Sequence, residues 1–144
     1  MFIMCVQKLC YINIMRNLLA YSKNYKLFGA YEEAQLEGDG ITGHIIVGDF
    51  YGSADCGCID NQERWCVSGG NGIVIYQITQ PFECYQFDHD TSQWKELWRS
   101  NEDWYPEAIY QIEENIVRVV IDVFSNAKGV YDLNVDTLEL IKRV

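Results

Sequence analysis

No uninterrupted apolar run in this sequence reaches the ~18–20 residues that a membrane-spanning helix needs, and histidine and proline occur only twice each. A helical membrane protein is therefore not expected. Two histidines leave few ways to assemble a histidine-rich metal site or a hydrolytic dyad. Bases are scarce too: 11 Lys and Arg stand against 21 Asp and Glu, a formal charge of −10. A surface of that sign repels phosphate backbones, so nucleic-acid binding over the whole surface is excluded as an expectation. What the chain does have is 49% apolar and 14% aromatic residues in 144 positions, enough for one domain with its own core. Disordered, collagen-like and disulfide-framework classes do not fit that composition.

The charge is unevenly placed. Residues 1–30 hold Lys8, Arg16, Lys23 and Lys26 and no acid, a charge of +4, which leaves −14 on residues 31–144. The chain thus divides into a basic, apolar segment, 1–30, and an acidic antiparallel β domain, 31–144, with the first expected to be part of the same domain. Met1-Phe2-Ile3-Met4-Cys5-Val6 is apolar but has no basic residues before it, and Gln7-Lys8 interrupts it without an A-x-A site after it. It does not read as a signal peptide, and a cytoplasmic location is expected. Met4 and Met15 are alternative starts, since the domain signals strengthen after Met15.

Hydrophobic periodicity sets the fold expectation. From Tyr11 to Tyr21, Asn13, Arg16, Asn17 and Ala20 fall on one side of a helix and Tyr11, Ile12, Ile14, Met15, Leu18 and Leu19 on the other, which favours a short N-terminal helix, with a strand as the alternative. Beyond it, Ile41–Phe50, Cys58-Ile59, Trp65–Val67, Ile73–Ile78, Phe82–Phe87, Trp94–Trp98, Ala108–Ile112, Ile116–Phe124, Gly129–Val135 and Thr137–Ile141 read as strands separated by Gly, Asn, Asp and Ser turns. The expectation is a mainly β protein: an antiparallel meander, curled sheet or sandwich of about eight short strands. Ile59-Asp60-Asn61 followed by Gly72-Ile73-Val74 echoes Ile112-Glu113-Glu114 followed by Gly129-Val130-Tyr131. Each echo reads as strand, polar turn, strand, glycine, strand, which is also how a propeller blade reads, although two or three units cannot close a propeller.

Few patterns ask for chemistry. Ser68-Gly69-Gly70-Asn71-Gly72 could expose amides to a phosphate, but a strand follows it and no Lys-Ser/Thr pair does, so a strand-to-strand turn with positive φ is favoured. Cys66 and Cys84 lie in strand-like contexts and are expected in the core. Cys56-Gly57-Cys58, completed by Cys66, His44 or His89, could be drawn as zinc ligands, but no second C-x2-C or H-x3-H pair supports it, and no metal or cofactor is expected. His89, between Asp88 and Asp90, reads as a solvated turn residue. The many acids make any glycosidase-like carboxylate pair uninformative.

The binding reading is better motivated. Glu102, Asp103, Trp104 and Glu107, then Glu113 and Glu114, place acids beside Trp94, Trp98, Tyr105 and Tyr110. Aromatic anchors supply interface energy and carboxylates steer a basic partner. Those six residues are the expected partner-binding set of a non-enzymatic module. Toxins that cleave nucleic acids are basic, and their small acidic inhibitors cover that basic cleft; by size and charge this chain has the character of such an immunity protein. A small-ligand or hydrolytic β-domain with an aromatic and cysteine-lined pocket containing His89 or Cys58 is the alternative. A structural subunit that self-associates through its N-terminal segment is another.

Overall fold

The computed structural model describes residues 16–100 and 103–144, which form twelve strands and, among the described residues, no helix. The strands are β1 (Arg16–Tyr21), β2 (Tyr25–Ala30), β3 (Glu33–Gly38), β4 (Ile45–Asp49), β5 (Cys56–Ile59), β6 (Trp65–Gly70), β7 (Gly72–Gln77), β8 (Trp94–Leu97), β9 (Pro106–Glu113), β10 (Ile116–Ile121), β11 (Gly129–Asn134) and β12 (Leu140–Lys142). They make three four-stranded antiparallel sheets, β1–β4, β5–β8 and β9–β12, in which each strand pairs with the next along the chain. Short polar turns account for this simple order, because an antiparallel neighbour needs only a few residues of connection.

The second sheet is the middle layer. Strand alternation points Trp65, Val67, Ile73 and Ile75, with Cys56 and Cys58, toward the third sheet, where they meet Ile109, Val117, Val119, Ile121 and Leu133. Cys66, Val74, Tyr76 and Trp94 point the other way and meet Leu27, Ala34, Leu36 and Val47 of the first sheet. Burial on both faces explains why Ile73–Tyr76 is a continuous apolar run while Val117, Val119 and Ile121 alternate with half-buried neighbours. It also explains the glycines of β6. A Cβ on Gly69 would come within 2.8 Å of Ile109 Cδ1, and one on Gly70 within 2.5 Å of the Ser53 carbonyl. Gly72 starts β7 at φ +88°, so the glycine segment is the end of β6, Ser68–Gly70, and its tight turn at Asn71 into β7, with the expected positive φ only at Gly72.

Three sequence expectations need correction. Arg16–Tyr21 is a strand, not the end of a helix; residues 11–15 of the expected helix lie outside the described residues. Pairing with β2 overrides the local periodicity, with Leu18 opposite Phe28 and Ala20 opposite Leu27, and a bulge between Leu18 and Ala20 lets the adjacent Leu19 and Ala20 both pack on the core. Side-by-side apolar residues at a bulge imitate a helical stripe. The strand count is twelve rather than about eight. β3 was hidden by Glu33-Ala34-Gln35-Leu36-Glu37, which are all reasonable helix formers. Phe82–Phe87, expected as a strand, joins no ladder; its Tyr85 N–H donates to the Ile46 carbonyl at 2.8 Å and its Tyr85 ring sits 5.1 Å from Trp94. The echoed segments are β5–β7 and β9–β11, equivalent strands of the second and third sheets.

Across the outer face of the third sheet, Asp132 of β11 ties two neighbours together. Its carboxylate accepts from Arg118 Nε at 2.8 Å on β10 and from Arg143 Nε at 2.8 Å just after β12. The Arg118 hydrogen bond lowers its pKa most, burial opposes, and Arg143 lowers it further, to about 2.

Two outcomes follow from this packing. Ile75→Ala, which empties the middle layer, lowers unfolding free energy by about 3 kcal/mol, whereas Ile141→Ala at the exposed β12 edge costs under about 1 kcal/mol, both read by urea denaturation. The Asp132 contribution is present above the unfolded carboxylate value of ~4 and disappears as pH falls through the folded value of about 2. Thermal melts should therefore show Asp132→Asn less stable than the parent at pH 6, with the gap closing toward pH 2.

Candidate functional site

The two ends of the sheet stack differ in chemistry. One end, called lower here, carries the β1–β2, β3–β4, β5–β6, β9–β10 and β11–β12 turns; polar groups of three of them hold the sheets to one another, while Tyr21, Asp39, Glu113 and Asp136 are exposed there. In the β5–β6 turn, Glu63 accepts from the Ser22 hydroxyl, from Asn24 N–H at 2.9 Å and from Asn24 Nδ2 at 2.8 Å, which fixes the first sheet. The same turn presents buried Asp60, which accepts from Arg64 Nε at 2.6 Å and from Gln111 Nε2 at 2.9 Å, while Arg64 Nη2 donates to the Glu114 carbonyl at 2.7 Å. These bonds reach the third sheet. The Ser22 hydrogen bond lowers the Glu63 pKa; for Asp60, burial pushes upward but the hydrogen bonds from Arg64 and Gln111 prevail and lower it.

The upper end is built from the β2–β3, β6–β7 and β10–β11 turns and the β4–β5 and β8–β9 connections. Backbone bonds gather these segments: Phe50 N–H donates to the Glu32 carbonyl at 2.8 Å, Ala54 N–H to Tyr31 at 3.0 Å and Gly72 N–H to Trp104 at 3.0 Å. Among the described residues of these segments and the adjoining strand ends, the acids are Glu32, Glu33, Asp49, Asp55, Asp103, Glu107 and Asp122, and the bases are Arg99 and Lys128, with Lys142 and Arg143 of the β12 end alongside Gly129 and Val130. Large apolar side chains stand out among them, with Tyr51 85% and Phe124 93% exposed. Exposed aromatic side chains and carboxylates thus share this end.

Within this end a cleft of about 330 Å³ opens between the first and second sheets, lined by Glu32, Asp49, Phe50, Tyr51, Asn71, Phe87 and Arg99. Arg99 is its inner cation. Its guanidinium carbon lies 4.6 Å from the Phe50 ring centre and 5.4 Å from that of Phe87, Nη2 donates to the Asp49 carbonyl, and Nε is 3.7 Å from Glu96. Glu32 accepts from Gly52 N–H at 3.2 Å. Asp49 has its pKa raised, chiefly by burial and then by Glu33 and Glu32, with Arg99 opposing. Among the described residues, neither the buried Asn71 Oδ1 nor Arg99 Nη1 has a hydrogen-bond partner.

The residues singled out from sequence are distributed over both ends. Glu102 lies outside the described residues. Asp103 is at the upper end, where its carbonyl accepts from the Ser125 hydroxyl and its carboxylate is 3.4 Å from Asn126 Nδ2. Trp104 stacks on Trp98 at 4.1 Å and lies 5.0 Å from Tyr131, so it packs against the core between the second and third sheets. Glu107 is exposed at the start of β9. Glu113 and Glu114 follow β9 to the lower end, roughly 20 Å away at ~3.3 Å per residue, and Glu114 Oε1 lies 3.5 Å from Arg64 Nη1. Sequence reasoning missed Glu32, Asp49, Asn71, Phe87 and Arg99. Their one local signal was a position in or beside a turn, which does not reveal that five separated turns converge.

Cys66 packs in the core as expected, as do Cys56 and Cys58, but Cys84, expected there too, lies in a segment that joins no sheet ladder and is exposed. Cys56 and Cys58 face the third sheet, and burial pushes both thiols up to about 12; Cys66 faces the first sheet and burial raises it further. His89 is exposed in the β7–β8 loop, where its carbonyl accepts from Trp94 Nε1 at 3.0 Å. Among the described residues, no three His, Cys, Asp or Glu side chains are grouped to hold a metal, and no helix is long and apolar enough to cross a membrane.

Thiolate supply controls alkylation, so peptide-level mass analysis of native protein treated with iodoacetamide at pH 8 should show Cys84 modified and Cys56, Cys58 and Cys66 intact until denaturant is added. Compared with protein-family models, with curated proteins and with solved structures, the chain matches none.

Proposed function

We propose that the protein is a cytoplasmic, non-enzymatic protein-binding module whose upper end docks a basic partner, most concretely as an immunity-type inhibitor of a basic effector. The observation that carries this reading is the upper end itself, where Glu32, Asp49, Asp55 and Glu107 share one end of the sheet stack with the exposed Tyr51 and Phe124 rings. Carboxylates on a rigid scaffold raise encounter rates with a basic protein, and neighbouring aromatic rings then supply the short-range energy. Asp103 and Glu107 belong to this surface; Trp104 supports it from beneath by stacking on Trp98. Sheets held at the lower end leave the upper loops preorganised, which limits the ordering cost of association.

The test is capture of a partner by the immobilised protein, followed by kinetics. A basic protein should be recovered, and its association rate should fall about tenfold between about 20 mM and 500 mM salt. Reversing upper-end charge with Asp55→Lys, Glu107→Lys and Asp122→Lys should abolish capture, whereas Glu113→Lys should leave it intact. Recovery of no basic protein, or binding indifferent to salt, contradicts the reading.

A further inference from the structure

The docking surface contains one place shaped for a single side chain. The cleft beside Arg99 is walled by rings and ends in acceptors. Tyr51 and Phe87 flank its mouth, the Glu32 and Asp49 carboxylates border it, and Asn71 contributes a buried Oδ1 that has no donor. Arg99 already shows what these walls accept, since its guanidinium lies over both Phe50 and Phe87. Two carboxylates against one guanidinium leave the cleft net negative. Arg99 is engaged by the Asp49 carbonyl, by Glu96 and by the two rings, so it does not neutralise both acids.

A molecule that suits this lining needs an apolar stem for the rings and a cationic donor head for the carboxylates and Asn71 Oδ1. It also gains from a carbonyl acceptor near the head, because Arg99 Nη1 lacks one. An arginine or lysine side chain on a peptide backbone offers all three. We infer that the Glu32–Asp49–Asn71 cleft is the pocket into which the basic partner inserts one cationic side chain, its stem lying between Tyr51 and Phe87. This rests on the docking reading of the upper end and names its anchoring point. The volume, about 330 Å³, accommodates one long side chain with part of its backbone and no folded segment. It also explains why Asn71, in a tight turn between Gly70 and Gly72, presents an acceptor with no partner among the described residues.

The probe is N-acetyl-arginine methylamide, with N-acetyl-citrulline methylamide as its neutral isostere, titrated into isotopically labelled protein and followed by amide chemical shifts. The arginine compound should shift Gly52, Asn71, Phe87 and Arg99 in a saturable manner with a dissociation constant on the order of millimolar. Citrulline should bind at least about fivefold more weakly, and Glu32→Gln with Asp49→Asn should weaken arginine by a similar factor. Glu107→Gln with Asp122→Asn, which removes the same charge from the same end outside the cleft, should change it less than about twofold. Equal binding of citrulline, shifts that spread over the upper end without saturating, or equal loss from the two double variants would overturn the pocket. Those outcomes leave salt-dependent capture of a basic protein standing; conversely, a saturable arginine site with no basic protein captured defeats the docking reading alone.

Discussion

Burial of the second sheet on both faces is the constraint from which the remaining structure follows. A sheet with two apolar faces must be covered twice, and in this chain the first and third sheets do so, one against Cys66, Val74 and Tyr76, the other against Val67, Ile73 and Ile75. Such an arrangement requires close approach of three backbones. Gly69 and Gly70 make that approach possible, because either would drive a Cβ into the adjoining layer. Dispersion and hydrophobic terms are thereby concentrated in β6 and β7.

The same middle sheet organises the ends. Its lower turn, Asp60–Arg64, holds the first sheet through Glu63 and the third through Asp60 and Arg64, so polar bonds complete what the apolar faces begin. Asp60 is fully buried, yet it is matched by the Arg64 guanidinium and the Gln111 amide, which is the condition under which a buried carboxylate is tolerated. With the sheets fixed at that end, the upper loops hold carboxylates and rings in one place. Two of those carboxylates, Glu32 and Asp49, line the cleft there.

The legible part of this fold was the part dominated by burial. Ile73–Ile78 and Ile116–Phe124 carried period-two or continuous apolar patterns, and both contain strands, β7 and β10. Glycine echoes at Gly72 and Gly129 correspond to the starts of β7 and β11, each at positive φ. Arg16–Tyr21 misled because a bulge placed two adjacent residues on the core, and β3 because its composition favours helix while its pairing partners dictate strand. Trp104 looked like an interface anchor; stacking with Trp98 and Tyr131 is set by two other sheet connections that local sequence does not display. The cleft was illegible for the same reason, since Glu32, Asp49, Asn71 and Arg99 come together only after the first and second sheets have stacked.

Native-state hydrogen exchange tests the central role of the second sheet most directly. Amides of Val67, Val74 and Ile75 should exchange only through global unfolding, with opening free energies equal to that from denaturant and above those of β4 and β12. Faster exchange in β6 and β7 than in β10 and β11 would contradict the account.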